Sequence, residues 1–274
     1  MLDSIASPAV THEAYQTQGF LSPIRVISEE RADELAGKIA GIHEKYGPEA
    51  RNLLGSNAHI IFPELFDLVC DPAILDHVEK ILGPDILCWS SSFFSKPPND
   101  RAFVSWHQDL TYWGLEPEVI VTAWIAITPS TRESGCMRVI PGSHIQGQQG
   151  HSDTYATENL LSRGQVLDVK VDEDCAVDIL LQPGEMSLHH VLMVHGSEIN
   201  QTQAPRHGYA IRYIPTYCKQ VGGRTTSLLV RGEDRYGNFD SVPRPSADMH
   251  PDAISFRERA NKVVKSILMK GAKI

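Results

Sequence analysis

The sequence has no uninterrupted apolar run near the ~20 residues that a membrane-spanning helix needs, no excess of basic charge and no closely spaced cysteines. Each absence removes a class of protein. Lys and Arg total 25 against 34 Asp and Glu, a net charge of -9, so the bulk basic footprint of a nucleic-acid binder is missing; a single cleft can still carry a positive field. Cys70, Cys88, Cys136, Cys175 and Cys218 are odd in number, scattered and without a CxxC pair. That excludes a disulfide framework and a zinc knuckle and leaves reduced thiols. The opening MLDSIASPAVTHEAY lacks the basic start and apolar stretch of a secretory signal, so a cytoplasmic location is the expectation.

Hydrophobic residues at 42% and charged residues at 22% describe an ordinary globular chain that can bury a core without staples. Internal repeats, low-complexity tracts and convincing linkers are absent, so residues 1–274 read as one domain. Its first part, 1–85, is helical. A short helix is expected over 11–18, stopped at Gly19, then a strand over 20–27. A longer helix follows from Ser28, with Glu29 and Glu30 in its first turn and Ala32, Leu35, Ile39 and Ile42 at helical spacing. Asp71-Pro72 opens another, running to about Leu82 with Gly83 after its end.

From Ile86 the texture changes to short strand-like runs between Gly, Pro and Asp, at 86–96, 119–128, 137–140, 166–171, 185–194 and 209–214. Short antiparallel-looking strands in this number predict a double-sheet jelly roll over 86–217 rather than a parallel α/β sheet. The polar stretch 146–174 reads as a long surface excursion of the kind that serves as a lid. Residues 218–274 read as a second lid and a C-terminal helix carrying Ile254, Ala260, Val263, Val264 and Leu268.

The strongest chemical signal is Ser105-Trp106-His107-Gln108-Asp109, in which two ligand-type side chains stand two residues apart at the end of a strand and so face one side. A facial Fe(II) site takes two imidazoles and one carboxylate and leaves open positions. His195, which closes the apolar run Val191-Leu192-Met193-Val194 ahead of Gly196-Ser197, supplies the second imidazole. His189 and His190 compete for that role: on a regular strand His190 faces away from His195, and His189 lies about 20 Å further back. Arg206, eleven residues after His195, opens another strand-like run, and a hairpin between the two would bring a planar guanidinium suited to gripping a carboxylate near the metal. His59, His144, His151 and His207 lack ligand-type partners at useful spacing and read as scaffold. Turn chemistry at Gly135, Pro141, Gly142 and Ser143 accounts for the loop 133–144.

Five stretches in this order resemble the phytanoyl-CoA dioxygenase family: WHQD at 106–109, TAWIAI at 122–127, ESGCMRVIPGSH at 133–144, PGEMSLHH at 183–190 and HGSEINQTQAPRHGYAIRY at 195–213. QGFLSP at 18–23 is similar too, and the likeness extends from about Tyr15 to Tyr217. The resemblance implies a mainly β fold with flanking helices, the double-stranded β-helix or cupin-like jelly roll, with Fe(II) on His107, Asp109 and His195. It implies 2-oxoglutarate chelating the iron, its far carboxylate on Arg206, with Ser197 and Trp124 lining that pocket and Lys96 and Ser92 contributing to the same wall. With dioxygen, the co-substrate would be decarboxylated to succinate while a small molecule is hydroxylated. Asp109 stands where relatives that halogenate carry a small residue, which points to hydroxylation. Desaturation, epoxidation or cyclisation by the same oxidant, and a non-catalytic cupin-type binding protein, are the rival readings.

The substrate is less legible. Tyr112 and Trp113 follow the HxD pair and are candidates for the substrate wall or for packing. Arg231, in the loop 228–239 with Arg235, is a candidate for meeting an anionic group. Without a basic run for nucleotide phosphates, a free metabolite is favoured over an acyl-CoA.

Overall fold

Caps and helical periodicity build the N-terminal layer. The computed structural model describes residues 12–270 and 272; most of the stretch read against a secretory signal, and Thr11 at the start of the first expected helix, lie outside them. Helix α1 (His12–Gln18) leads into β1 (Phe20–Arg25). In α2 (Glu29–Tyr46) the Ser28 hydroxyl accepts from Arg31 N, and Ala32, Leu35, Ile39 and Ile42 are buried; each of the three larger ones gains about 1.5–3 kcal/mol by leaving water. After α3 (Ala50–Leu54) and α4 (Pro63–Val69), α5 (Pro72–Leu82) starts on the Asp71 carboxylate, which accepts from Ala73 N, and stops at Gly83, whose φ of 84° suits glycine.

The strands that follow are β2 (Ile86–Lys96), β3 (Val104–His107), β4 (Val121–Ala126), β5 (Met137–Val139), β6 (Val177–Ile179), β7 (Glu185–His190), β8 (His195–Ser197), β9 (Arg206–Pro215), β10 (Thr226–Arg231) and β11 (Asp240–Ser241). They form a seven-stranded sheet, β1-β7-β4-β9-β2-β10-β11, and a four-stranded sheet, β3-β8-β5-β6. This mainly β architecture with flanking helices is the jelly roll expected from the strand pattern. Helix α6 (Pro251–Leu268) follows the last strand.

Side-chain alternation divides the large sheet into two jobs. Ala123 and Ile125 of β4 and Tyr209, Ile211 and Tyr213 of β9 pack with the N-terminal helices in the main core. Trp124, Ala126 and Ala210, one residue out of phase, pack instead with Met137, Val139 and Ile179 of the small sheet. The cavity described below opens on this second face.

Three expectations need correction. The run 185–194 is not one strand: β7 ends at His190 and residues 191–194 turn the chain across to β8 in the opposite sheet. The segment 146–174 is more than a surface excursion, because His151–Asp153 and Gln165–Leu167 pair as a hairpin. Buried Arg163, inside it, ties it to the carbonyl of Leu268 at the end of α6. Residues 226–231 are no lid, since β10 is paired to β2.

Candidate active site

His107, the last residue of β3, and His195, the first of β8, are directly opposed across the antiparallel pair. Their ring centroids stand 4.1 Å apart. Asp109 follows in a short 3-10 turn, its backbone N–H donating to Val191 O at 3.1 Å. One ring nitrogen from each imidazole and a carboxylate oxygen of Asp109 lie within 4.8 Å of one another. His107 Nε2 is 3.3 Å and His195 Nε2 4.0 Å from Asp109 Oδ1.

The surroundings fix which nitrogen faces the centre. His107 Nδ1 lies 2.9 Å from Ser105 O and 3.1 Å from His195 O, and His195 Nδ1 is 2.9 Å from Met193 O. Carbonyls only accept, so each Nδ1 carries the proton and each Nε2 turns a lone pair inward, the tautomer a metal ligand needs. Burial, reinforced by neighbouring His107, holds His195 well below the ordinary imidazole value, keeping it neutral. Burial alone would raise Asp109, but the His107 and His189 imidazoles outweigh it and hold the carboxyl well below its usual range. The Thr122 hydroxyl, at 3.5 Å, donates to Asp109 Oδ2, leaving Oδ1 for the centre.

His189 is nearer than strand arithmetic predicts. Its Nε2 is 3.9 Å from Asp109 Oδ2 and its ring is 5.0 Å from that of His195. The expected separation of about 20 Å assumed a continuous strand; the turn over 191–194 folds it away, so His189 and His195 face each other from opposite sheets.

Arg206 also lines the cavity, from the first position of β9. The hairpin expected between His195 and Arg206 is absent, because β8 and β9 belong to different sheets, yet both reach the space between them. The guanidinium is 2% exposed, donates through Nη2 to Gly135 O at 2.9 Å, and lies 5.3 Å from the centre of the Trp124 ring. Its Nε has no partner. Burial lowers its pKa to about 10, so it remains a cation at neutral pH. Gly208, two residues on, is required for Trp124 to lie there: a Cβ would sit 1.8 Å from the indole.

The remaining candidates divide. Ser197 and Trp124 line the cavity together with Phe94, Val104, Thr122 and Met137. Lys96 does not; it stands behind the wall, with Nζ 2.7 Å from Ser197 Oγ and donating to the carbonyls of Glu198 and Gly135. Burial, and then the charge of Arg206, lowers it to about 6. The loop 133–144 thus positions the site through the Gly135 carbonyl, which accepts from both Lys96 Nζ and Arg206 Nη2.

Ser92 is likewise off the cavity and accepts from Arg212. Tyr112 is occupied elsewhere, its hydroxyl donating to Asp153 at 2.6 Å under the Arg163 guanidinium. Trp113 is not in the lining and packs on Trp89 at 5.1 Å. Arg231 is paired with Asp76 and Glu79 on α5. Tyr112, Trp113 and Arg231 thus stand off the cavity lining with partners elsewhere, whereas Arg212, which the sequence reading passed over, lines it.

The model for the phytanoyl-CoA dioxygenase family matches residues 15–208 of this sequence. The chain belongs to the phytanoyl-CoA dioxygenase family. Among its relatives, human peroxisomal phytanoyl-CoA dioxygenase is 29% identical over 168 residues, 60% of this chain and 50% of that protein. The chain thus spans about half the length of the phytanoyl-CoA dioxygenases it matches. A probable alpha-ketoglutarate-dependent hypophosphite dioxygenase of Stutzerimonas stutzeri is 30% identical over 207 residues, covering 73% of this chain and 67% of that one. Among solved structures, the non-heme monooxygenase ThoJ in its apo form superposes with a TM-score of 0.84 at 32% identity, over 94% of this chain and 97% of that one. CytC3 with Fe(II) and alpha-ketoglutarate, at 21% identity and a TM-score of 0.65, shares the fold.

Proposed function

We propose that this family member is an Fe(II)- and 2-oxoglutarate-dependent dioxygenase that hydroxylates an unactivated C–H bond of a small molecule. One observation carries the reading: a three-donor face of two inward Nε2 atoms and a carboxylate shares its cavity with a buried guanidinium whose Nε is unpartnered. Two neutral imidazoles and one carboxylate are the donor set of a ferrous facial site. A buried cation without an acid fits a co-substrate that brings its own carboxylate.

His107, Asp109 and His195 would hold the metal. Arg206 would grip the far carboxylate of 2-oxoglutarate and so orient its keto-acid end toward them, with Ser197 and Trp124 as walls. Bound there, Fe(II) supplies dioxygen activation: 2-oxoglutarate and the substrate C–H each give two electrons, one oxygen atom enters succinate as carbon dioxide leaves, and the other enters the product hydroxyl. Phe94, Val104 and Met137 line this space and would limit the water in it. The helical layer, both sheets and α6 would act as one catalytic domain.

Similarity to a non-heme monooxygenase supports insertion of oxygen, and the names of the relatives point to substrates as different as an acyl-CoA and hypophosphite. The five cysteines are free thiols, which supports a reducing compartment such as the cytoplasm. Among the described residues no helix is long and apolar enough to cross a membrane. Incubation with Fe(II), 2-oxoglutarate, dioxygen and a metabolite panel tests the proposal: succinate forms at a rate raised by a true substrate. Metal binding without 2-oxoglutarate consumption under any condition would favour the non-catalytic cupin.

A further inference from the structure

The residue between the two HxD ligands is gripped from outside the metal face. Gln108 is extended, with φ -116° and ψ 137°, so alternation turns it away from the cavity that His107 and Asp109 line. It is fully buried. Its Nε2 donates to Gly147 O at 2.9 Å and to Leu192 O at 2.8 Å, and its Oε1 accepts from Gln149 N at 2.8 Å. The backbone N–H of Gln108, one step past the end of β3, donates to His151 Nε2 at 2.9 Å. His151 Nδ1 lies 2.9 Å from Gln149 O and so carries the proton, which leaves Nε2 as the acceptor. Burial holds this imidazole below its ordinary value and keeps that lone pair free.

The same segment reaches the far end of the turn that carries Asp109. The 3-10 turn Asp109–Tyr112 ends where the Tyr112 hydroxyl donates to Asp153 Oδ1 at 2.6 Å. Buried Arg163 lies 3.9 Å from the centre of the Tyr112 ring and donates through Nη1 to Asp153 Oδ2 at 3.2 Å. Its Nε donates to Leu268 O at 2.8 Å and its Nη2 to Lys270 O at 2.9 Å. Carbonyls at the end of a helix lack intrahelical donors, and a cation there also complements the helix dipole. Arg163 thus joins the end of α6 to the hairpin, and the hairpin joins the turn.

The three metal donors differ in what holds them. His107 and His195 are fixed by the β3–β8 ladder, which ends at His107. Asp109 lies beyond that ladder, with its own N–H on Val191 O, and its chain neighbours Gln108 and Tyr112 are held by residues 147–163. We infer that His151 and Arg163 are positioning residues for the carboxylate donor: the segment 147–163, latched to the end of α6, holds the turn that presents Asp109 and so couples the C-terminal helix to the metal face. The inference rests on the function proposed above and adds to it what sets the third donor in place.

The test uses the full chain, zinc for affinity and cobalt(II) for its visible absorption, with circular dichroism as the control for folding. His151→Leu keeps most of the ring's bulk and removes the acceptor; zinc affinity should fall roughly 10–100-fold, the range for losing a contact that orients a ligand. His151→Gln, whose side-chain oxygen can accept from Gln108 N, should recover most of that loss. At saturating cobalt the absorption of His151→Leu should move toward that of Asp109→Ala, and that of His151→Gln should stay with wild type. Amide hydrogen exchange should speed up over 108–112 and stay unchanged in β8. Arg163→Met, which frees the end of α6, should speed the same amides and weaken zinc by about threefold or more.

Zinc affinity in His151→Leu within about threefold of wild type, below the expected range, overturns the positioning, and so does a His151→Gln variant no better than His151→Leu. Exchange that rises equally in β8 marks a general loss of stability and overturns it as well. Unchanged amides and zinc affinity in Arg163→Met overturn the coupling to α6. Wild type that binds neither metal fails the function proposed above and the inference with it, whereas a wild-type site indifferent to His151 fails the inference alone.

Discussion

His107 and His195, 88 positions apart in the chain, are cross-strand partners, and His107 Nδ1 donates its proton to the backbone carbonyl of His195 itself. Pairing of β3 with β8 therefore does two things at once: it brings the two imidazoles together, and it turns His107 Nε2 inward, while the Met193 carbonyl in the preceding turn does the same for His195. The donor face is prepared by the backbone ladder before any ligand arrives.

That arrangement predicts that the donor set acts as a unit. His107→Ala and Asp109→Ala should each weaken divalent-metal binding by more than about 100-fold, above the 10–100-fold that loss of mere supporting contacts produces. Isothermal titration with zinc or cobalt checks this, with circular dichroism as the control for folding. Metal affinity unchanged in either variant would remove that residue from the centre.

Arg206 is predicted to govern co-substrate affinity and leave the metal alone. Truncating one partner of a buried, hydrogen-bonded charge pair costs about 2–5 kcal/mol, so Arg206→Met should raise the 2-oxoglutarate Kd by roughly 30-fold or more with zinc affinity little changed. Paired titrations of metal and co-substrate on the same variant separate the two effects.

Gly208 tests how the wall is built. A methyl group there would meet the Trp124 indole at 1.8 Å, and overpacking a filled core costs about 1–3 kcal/mol. Gly208→Ala should lower the urea midpoint and, by displacing Trp124 from Arg206, weaken 2-oxoglutarate binding. The double variant Gly208→Ala with Trp124→Phe should regain stability, because the smaller ring vacates the space. Equal stability of Gly208→Ala and wild type would contradict the packing.

Lys96 predicts a pH dependence of stability. Its folded pKa is lowered to about 6 by burial, against an unfolded value near ~10.4. Between these limits the unfolded chain binds more protons than the folded one, so this group makes stability rise with pH across the window, and below it the penalty stays constant. Lys96→Met should flatten the dependence of the urea midpoint on pH from about 6 to 10. A slope identical to wild type would show that Lys96 titrates as an exposed lysine does.

Much of this was legible in the residues, for reasons that are local. Ser28 and Asp71 as caps, the apolar spacing of α2 and the period-two strands are one-dimensional signals, and they led to the helical layer and the jelly roll. The HxD pair is equally local, because alternation alone sets both side chains on one side.

What escaped the sequence was three-dimensional. The placement of His189 depended on the turn over 191–194, which an apolar run without Gly or Pro conceals. Tyr112 was drawn away from the cavity by Asp153 and Arg163, partners some 40 and 50 positions on. Arg212 carried a usable signal: it stands six residues after Arg206 in a strand, an even number, and so shares its face. An arginine inside the run Tyr209-Ala210-Ile211-Arg212-Tyr213 is a buried cation, and among the described residues its Nε has no hydrogen-bond partner.

An anaerobic crystal structure of the chain with Fe(II) and 2-oxoglutarate puts the assignment at greatest risk. One iron should be held by Nε2 of His107, Nε2 of His195 and Oδ1 of Asp109, with the co-substrate chelating it and its far carboxylate on Arg206. Iron bound elsewhere, or a co-substrate whose far carboxylate turns away from Arg206, would contradict it.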